Sequence, residues 1–134
     1  MVEPGAGDVL KLIGTLKISG RENGDAFEVI EYGGPAAPPP HIHREHEEGF
    51  YILEGAFTFT LREDQFDAPA GSFVFVPKGT RHGFKPTEGA RALLLIVPAG
   101  LEGFFRELGD GLASGKSGVE MRAALADKYD SHPA

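Results

Sequence analysis

A run of prolines directly before two closely spaced histidines is the feature that most constrains how this chain can fold. Residues 33–40 read GGPAAPPP, and residues 41–43 read HIH. Proline fixes the φ angle, lacks an N–H donor and pushes the residue before it into an extended conformation. The run therefore excludes a helix here and predicts that His41 enters a β-strand. Residues two apart in a strand face the same side, so His41 and His43 are predicted to point in one direction.

The rest of the chain has the pattern of an all-β domain. Its 134 residues include 19 glycines and 10 prolines, which indicates many tight turns between short strands. Alternating or continuous apolar runs predict strands at about 9–18, 26–32, 50–53, 56–61, 65–68, 72–76, 80–85 and 91–97. Alternation within 56–61 predicts that Phe57, Phe59 and Leu61 face the core. The run RALLLIV at 91–97 is typical of a strand buried on both faces.

After Pro98 the spacing of apolar residues changes from that of a strand to that of a helix. The helical repeat is carried by Leu101, Phe104, Phe105, Leu108 and Leu112. Ser117 followed by Glu120 is a capping-box pattern for a second helix. We therefore predict a single domain over residues 1–134, with an all-β sandwich or jelly-roll barrel at about 9–97 and a short helical tail at about 101–130.

Charge and cysteine content exclude several classes of protein. The formal net charge is −7 and no basic stripe is visible, which argues against binding to nucleic acid. Because the chain has no cysteine, disulfides, iron–sulfur clusters and thiolate zinc sites are excluded. No apolar segment reaches the length of a membrane span, and the first residues lack the pattern of a signal peptide. We expect a cytoplasmic protein that does not associate with membranes.

Two further residues are placed to join the histidine pair in a metal site. A turn at residues 44–47 would return the chain so that Glu48 offers its carboxylate from the next strand, and His82 follows a turn at residues 77–79. Three imidazoles and one carboxylate suit a divalent transition metal such as iron, manganese, nickel, copper, cobalt or zinc. Calcium and magnesium prefer all-oxygen sites and are not expected.

The histidine pair by itself is a weak signal, because exposed histidines two apart in a strand are common. The competing interpretation is a helix that puts His43 and Glu47 on one face, which the prolines and Gly49 disfavour. His46 is interpreted as a solvated turn residue and His132 as part of an inert polar tail.

Taken together, the two histidine-containing stretches resemble the paired signature of the cupin superfamily. The first cupin motif has the pattern HxH, three or four residues, Glu, six residues, Gly, and it is matched by His41, His43, Glu48 and Gly55. The second has the pattern Gly, five residues, Pro, x, Gly, two residues, His, and it is matched by Gly71, Pro77, Gly79 and His82. The resemblance covers about residues 33–97. Residues 102–108, EGFFREL, are similar to small bacterial single-domain cupins described as quercetin-dioxygenase-like.

The sequence departs from the cupin pattern at two positions. The first motif usually opens with a glycine six residues before its first histidine, whereas Gly34 is seven before His41. The second motif usually ends in asparagine four residues after its histidine, whereas Pro86 stands there. Neither position is a metal ligand. The resemblance therefore still implies a double-stranded β-helix barrel of two sheets, a metal held by the three histidines and Glu48, and commonly a homodimer.

A metal-dependent oxidoreductase of the dioxygenase type, acting on a small aromatic or enolic molecule, is the leading functional hypothesis. In it Glu48 is both a ligand and a catalytic proton acceptor. Strand parity and an apolar interior suggest a substrate lining of Phe50, Ile52, Phe59 and Phe84, although plain core packing explains each residue equally well. Two alternatives remain open: a non-redox cupin, such as an isomerase or polyketide-cyclase-like enzyme whose metal is a Lewis acid, and a non-catalytic small-molecule binding protein.

Overall fold

Eleven strands, two α-helices and a short 3-10 helix (Gly20–Glu22) make up the molecule, and the computed structural model describes all 134 residues. In chain order the strands are β1 (Asp8–Leu10), β2 (Gly14–Ile18), β3 (Glu28–Tyr32), β4 (His41–Ile42), β5 (Glu47–Glu54), β6 (Ala56–Leu61), β7 (Asp64–Pro69), β8 (Phe73–Val76), β9 (His82–Pro86), β10 (Arg91–Val97) and β11 (His132–Pro133). The helices are α1 (Glu102–Ala113) and α2 (Gly118–Leu125), which lie between β10 and β11. Neither helix has the length and apolarity that a membrane-spanning helix needs.

The strands form two antiparallel sheets that enclose the core. One sheet has six strands in the order β1-β2-β3-β10-β5-β8, and the other has five in the order β11-β4-β9-β6-β7. Neighbouring strands are mostly distant in sequence, as β10 lies between β3 and β5. This arrangement confirms the predicted all-β jelly-roll, a double-stranded β-helix, with a short helical tail.

Phenylalanines from both sheets fill the centre of the barrel. The rings of Phe50 and Phe59 lie 5.1 Å apart between centroids, and Phe84 lies 5.3 Å from Phe50 and 5.0 Å from Tyr32. Most of these contacts are edge-to-face or tilted, the geometry that aromatic quadrupoles favour. Phe57 and Phe59 are fully buried, as their alternation in β6 predicted. Removing one such ring typically costs about 3–5 kcal/mol of stability.

The outer face of the six-stranded sheet differs from the expectation for β10. Ala92, Leu94 and Ile96 are buried, but Leu93 and Leu95 are 38% and 37% exposed. The prediction of burial on both faces is therefore wrong. In a barrel, one face of an antiparallel sheet packs on the core and the other faces solvent. The solvent-facing side of β10 nevertheless carries apolar residues.

The first predicted strand, 9–18, is two strands joined by a tight turn. β1 and β2 pair antiparallel, and Leu12 in the turn between them has a positive φ of 62°. Helix α1 packs against this turn through Gly109, where an added Cβ would lie 2.2 Å from the carbonyl oxygen of Lys11. A glycine at this position therefore permits α1 to approach the barrel closely. The predicted apolar stripe of α1 is buried against the barrel core.

The end of the chain returns to the barrel after the helices. β11 pairs with β4, so that His132 lies opposite Ile42 and Pro133 opposite His41. The tail therefore includes a short edge strand of the five-stranded sheet as well as the two predicted helices. Its last residues lie beside the first histidine motif.

Candidate metal centre

The four predicted ligands meet inside the barrel, and they come from both sheets. His41 and His82 lie directly opposite each other on the neighbouring strands β4 and β9, and His43 follows β4. Glu48 reaches them from β5, which belongs to the opposite sheet. All four side chains are buried, and one ligand atom of each lies within 4.8 Å of those of the others. The turn at residues 44–47 thus carries the chain from one sheet to the other.

Backbone carbonyl groups hold all three imidazoles in the same tautomer. Each Nδ1 lies 2.7–2.8 Å from a carbonyl oxygen, which belongs to Pro39 for His41, Asp130 for His43 and Thr80 for His82. A carbonyl can only accept a hydrogen bond, so each Nδ1 carries a proton and donates it. In a neutral imidazole this leaves Nε2 as the free ligand atom, the arrangement typical of metal-binding histidines.

The Nε2 atoms of His43 and His82 point at the carboxylate of Glu48. Its Oε1 lies 2.8 Å from Nε2 of His82 and 2.9 Å from Nε2 of His43. The His43 contact has the distance but not the geometry of a hydrogen bond, and this buried Nε2 has no hydrogen-bond partner. Nitrogen lone pairs and a carboxylate oxygen facing one another in a buried space repel unless a cation, either a proton or a metal ion, lies between them. The donor set therefore fits a bound divalent transition metal.

The pKa values show how strongly these groups depend on one another. Burial by itself would raise the pKa of Glu48, but the imidazoles of His43 and His82 hold it well below its usual value. Burial opposes the charge on His43, yet the Glu48 carboxylate raises the pKa of His43 above its ordinary value. Burial and the two neighbouring imidazoles lower the pKa of His41 to about 3. Glu48 is therefore anionic and His41 neutral at physiological pH, as metal ligands must be.

A small, mostly apolar chamber adjoins the four ligands. Its volume is about 10 Å³, which is about the space of one water-sized sphere. Its walls include Tyr32, Phe84, Leu94, Phe104, Phe105 and Arg122. Two of these side chains, Phe104 and Phe105, come from α1, so the helical tail closes one side of the chamber. Of the predicted lining residues, Phe84 borders the chamber, whereas Phe50, Ile52 and Phe59 are fully buried in the aromatic core.

Asp130 connects the C-terminal tail to the histidine motif. Its carboxylate accepts hydrogen bonds from the backbone N–H groups of Arg44 and Glu45 and from Nδ1 of His46, at 2.7–2.8 Å. Burial opposes the charge on Asp130, but these hydrogen bonds lower the pKa of its carboxyl group to about 2. Because its carbonyl also accepts the Nδ1 proton of His43, Asp130 fixes both a ligand and the turn that follows it. His46 was expected to be a solvated turn residue, but its imidazole contacts the carboxylate of Asp130, which anchors the turn.

Sequence reasoning did not find Asp130 or Arg122 as parts of the site. Asp130 lies in a polar stretch, YDSH, that gives no signal for a partner 87 positions away. Arg122 gives a weak signal, since it lies three residues before the buried Leu125 and shares its side of α2.

The chain belongs to the Cupin domain family, whose sequence model matches residues 26–98. This match contains all four ligands and ends before the helical tail. The comparison therefore agrees with the resemblance that the two motifs predicted.

Curated relatives and solved structures agree with this assignment. A quercetin 2,3-dioxygenase of Bacillus subtilis is 31% identical over 75 residues, which is 54% of this chain and 22% of that protein. A quercetin 2,3-dioxygenase of Aspergillus japonicus is 28% identical over 102 residues, which is 69% of this chain and 29% of that protein. The chain thus spans less than a third of the length of these two relatives.

Among solved structures, a protein from Planctomyces limnophilus superposes with a TM-score of 0.61 at 21% identity, covering 74% of this chain and 88% of the other. The Streptomyces nucleoside dehydratase Pac13 superposes with a TM-score of 0.51 at 18% identity, covering 56% and 62%. At these identities the likeness concerns the fold alone.

The ligand set predicts which histidines are needed for metal binding. His82→Ala removes one of the four converging ligand atoms and is expected to lower the bound metal, measured by elemental analysis of purified protein, to a small fraction of the wild-type content. His46→Asn, whose amide can still donate to Asp130, is expected to retain the metal. The reverse pattern, with metal lost only in the His46 variant, would refute this ligand set.

The anchor at Asp130 is expected to strengthen metal binding without touching the ion. Asp130→Ala frees the turn at residues 44–45 and loosens the carbonyl that orients His43, so metal affinity should fall by about 10–100-fold. Titration with a competing chelator measures this affinity. Asp127→Ala, an exposed residue of the same tail, is the matched control and should bind metal as the wild type does. Equal affinities in the two variants would show that the anchor does not support the site.

Proposed function

We propose that this cupin is a metal-dependent oxidoreductase of the dioxygenase type that acts on a small enolic or aromatic molecule. The observation that carries the proposal is the meeting of three imidazoles and one buried carboxylate beside an apolar chamber. Four protein ligands leave positions free on a five- or six-coordinate ion, as a catalytic rather than a closed structural site requires. The two quercetin 2,3-dioxygenase relatives support the same reaction class.

A metal held by His41, His43, Glu48 and His82 would supply a Lewis acid for a substrate oxygen and, if redox-active, a path for electrons to O₂. The chain itself supplies orientation, a dry environment and a proton acceptor. Phe84, Phe104 and Phe105 wall the chamber with apolar rings. A dry site strengthens every electrostatic contact made within it.

Glu48 is the proposed proton acceptor. Its Oε1 contacts the imidazoles of His43 and His82, whereas its Oε2 makes no hydrogen bond within the chain. Because this oxygen has no hydrogen-bond donor within the chain, it is free to accept the proton of an enol or a hydroxy-ketone that lies next to it.

A non-redox reaction is the second candidate. The nucleoside dehydratase from Streptomyces has the same fold, so a barrel of this architecture also hosts a reaction that a Lewis acid or an acid–base pair can promote. In this case the same ligands would polarise a carbonyl and Glu48 would move a proton, with no oxygen consumed. A non-catalytic binding protein is the third possibility, and fold alone does not choose among them.

Oxygen uptake separates these candidates. Protein loaded separately with iron, manganese, nickel, cobalt, copper or zinc is given a panel of single-ring catechols, small hydroxy-ketones and flavonols in an oxygen electrode. We expect uptake with at least one redox metal, none with zinc, and a loss of about 10²-fold or more in Glu48→Gln, with Glu54→Gln as the exposed control on the same strand. Substrate conversion without oxygen uptake would support the Lewis-acid reaction. No uptake with any redox metal would rule out the dioxygenase.

We also propose that two copies of the chain associate through the outer face of the six-stranded sheet. Six exposed apolar side chains on β5, β8 and β10 form this outer patch: Tyr51, Phe73, Phe75, Leu93, Leu95 and Val97. The strands are adjacent, with Tyr51 opposite both Phe73 and Leu93, and Gly49 opposite both Phe75 and Leu95. Contiguous exposed apolar surface of this kind commonly marks an interface.

Charge favours a second copy as the occupant of this patch. The chain carries a formal net charge of −7, so two copies repel each other over most of their surfaces. The centre of the outer patch carries no charged side chain, and an isologous contact requires a patch that is compatible with itself. The resemblance to cupins, which are commonly homodimers, points the same way.

Light scattering coupled to size-exclusion chromatography tests the dimer. Wild type is expected at twice the mass of one chain, and Phe75→Lys at the mass of one chain, because the symmetric interface would then bury two lysine charges without partners. Phe66→Lys changes a partly exposed phenylalanine on the other sheet and should leave the dimer intact. A wild-type protein of single-chain mass would reject the proposal, as would a dimer that tolerates lysine at position 75 but not at 66.

A further inference from the structure

A buried arginine with no partner borders the metal-ligand chamber. Arg122 lies on α2, is only 8% exposed, and lines the chamber together with His41, His43 and Glu48. Its guanidinium makes no salt bridge and no side-chain hydrogen bond within the chain. By contrast, Arg91 contacts Glu31 and Glu54, and Arg106 contacts Glu102.

The surroundings of Arg122 do not neutralise its charge. Burial lowers the pKa of its guanidinium from the usual value, and the only group that opposes this is the hydroxyl of Tyr32. That hydroxyl already donates to the carbonyl of Ala36. An arginine is charged at any physiological pH, and a buried charge without a counterion is destabilising. Arg122 is thus a largely buried, unpaired charge that an anion can reach, because its nitrogens are not fully enclosed.

A second, larger pocket also borders Arg122. It has a volume of about 140 Å³ and is lined by Pro39, Pro40, Val119, Ala123 and Pro133, with Ser131 as a neutral polar group. Arg122 and the metal ligand His41 border both this pocket and the chamber. A dry cavity of about 150 Å³ accommodates a benzene-sized molecule. The larger pocket thus offers room for a small organic molecule that touches both Arg122 and His41.

We propose that Arg122 recognises a carboxylate on the molecule that this site binds. The guanidinium pairs with the carboxylate through parallel N–H···O hydrogen bonds, the apolar body fills the outer pocket, and the opposite end faces His41 and the other ligands. A monocarboxylate fits better than a phosphate, because Arg122 is the one cationic side chain that lines either space. The inference names the substrate as a small carboxylic acid. It rests on the proposed function in one respect, namely that the substrate of the proposed enzyme binds at this site.

Binding of benzoate and of benzamide to zinc-loaded protein, followed by isothermal titration calorimetry, tests the inference. The two molecules have nearly the same size and shape and differ in charge. We expect benzoate to bind wild type about tenfold or more tightly than benzamide, and Arg122→Met to remove this preference. Arg106→Met, on the exposed face of α1, is the matched control and should leave the preference unchanged. Acetate and pyruvate extend the series to smaller carboxylates.

Each outcome decides the matter. The proposal is overturned if wild type binds benzoate and benzamide equally, or if it binds none of the three carboxylates. It is also overturned if Arg122→Met keeps the preference for benzoate, because the metal alone would then hold the carboxylate. Should Arg122→Met not fold, a crystal structure of the wild-type benzoate complex replaces it, and a carboxylate beyond hydrogen-bonding distance of Arg122 overturns the proposal. Zinc supports no oxygen chemistry, so these results are independent of whether the dioxygenase proposal fails.

Discussion

The contact between Glu48 and the imidazoles of His43 and His82 is the interaction on which the rest of the structure depends. It joins the two sheets at the centre of the barrel, and it places a carboxylate in a buried space where an isolated charge would be strongly destabilised. The carboxylate remains charged because the imidazoles lower its pKa. They can take part only because each Nδ1 is fixed by a carbonyl group. The backbone around the site therefore supplies the carbonyl groups that orient the three imidazole rings.

Each of the three carbonyl groups that fix the imidazoles has a different origin. The carbonyl of Pro39 comes from the proline run, which enters the strand in an extended conformation, and the carbonyl of Thr80 comes from the turn before β9. The carbonyl of Asp130 comes from the tail, after both helices. Two orienting groups are therefore local to the cupin motifs, and the third depends on the docking of the C-terminus. The tail is part of the metal centre in this respect, although the family match ends at residue 98.

Most of the fold and the convergence of the four candidate ligands could be predicted from the sequence. Strand parity is a local property, so the facing directions of Phe57 and Phe59 and the pairing of His41 with His43 follow from residue spacing. The prediction for β10 was wrong because an uninterrupted apolar run has no period that would mark one face as exposed. The length of residues 9–18 was also misjudged, since the turn at Leu12 contains neither glycine nor proline at its positive φ position.

By itself, the sequence determined the class of fold and the chemistry of the metal ligands, because both are encoded in residue types at short, fixed separations. The tertiary structure decided which sheet each ligand comes from, that α1 closes the chamber, and that Asp130 and Arg122 lie at the site. These contacts join residues that are distant in sequence, such as His43 and Asp130, which are 87 positions apart. No local pattern records such a contact, since it exists only when the packing of the helices and the pairing of β11 with β4 bring the two parts of the chain together.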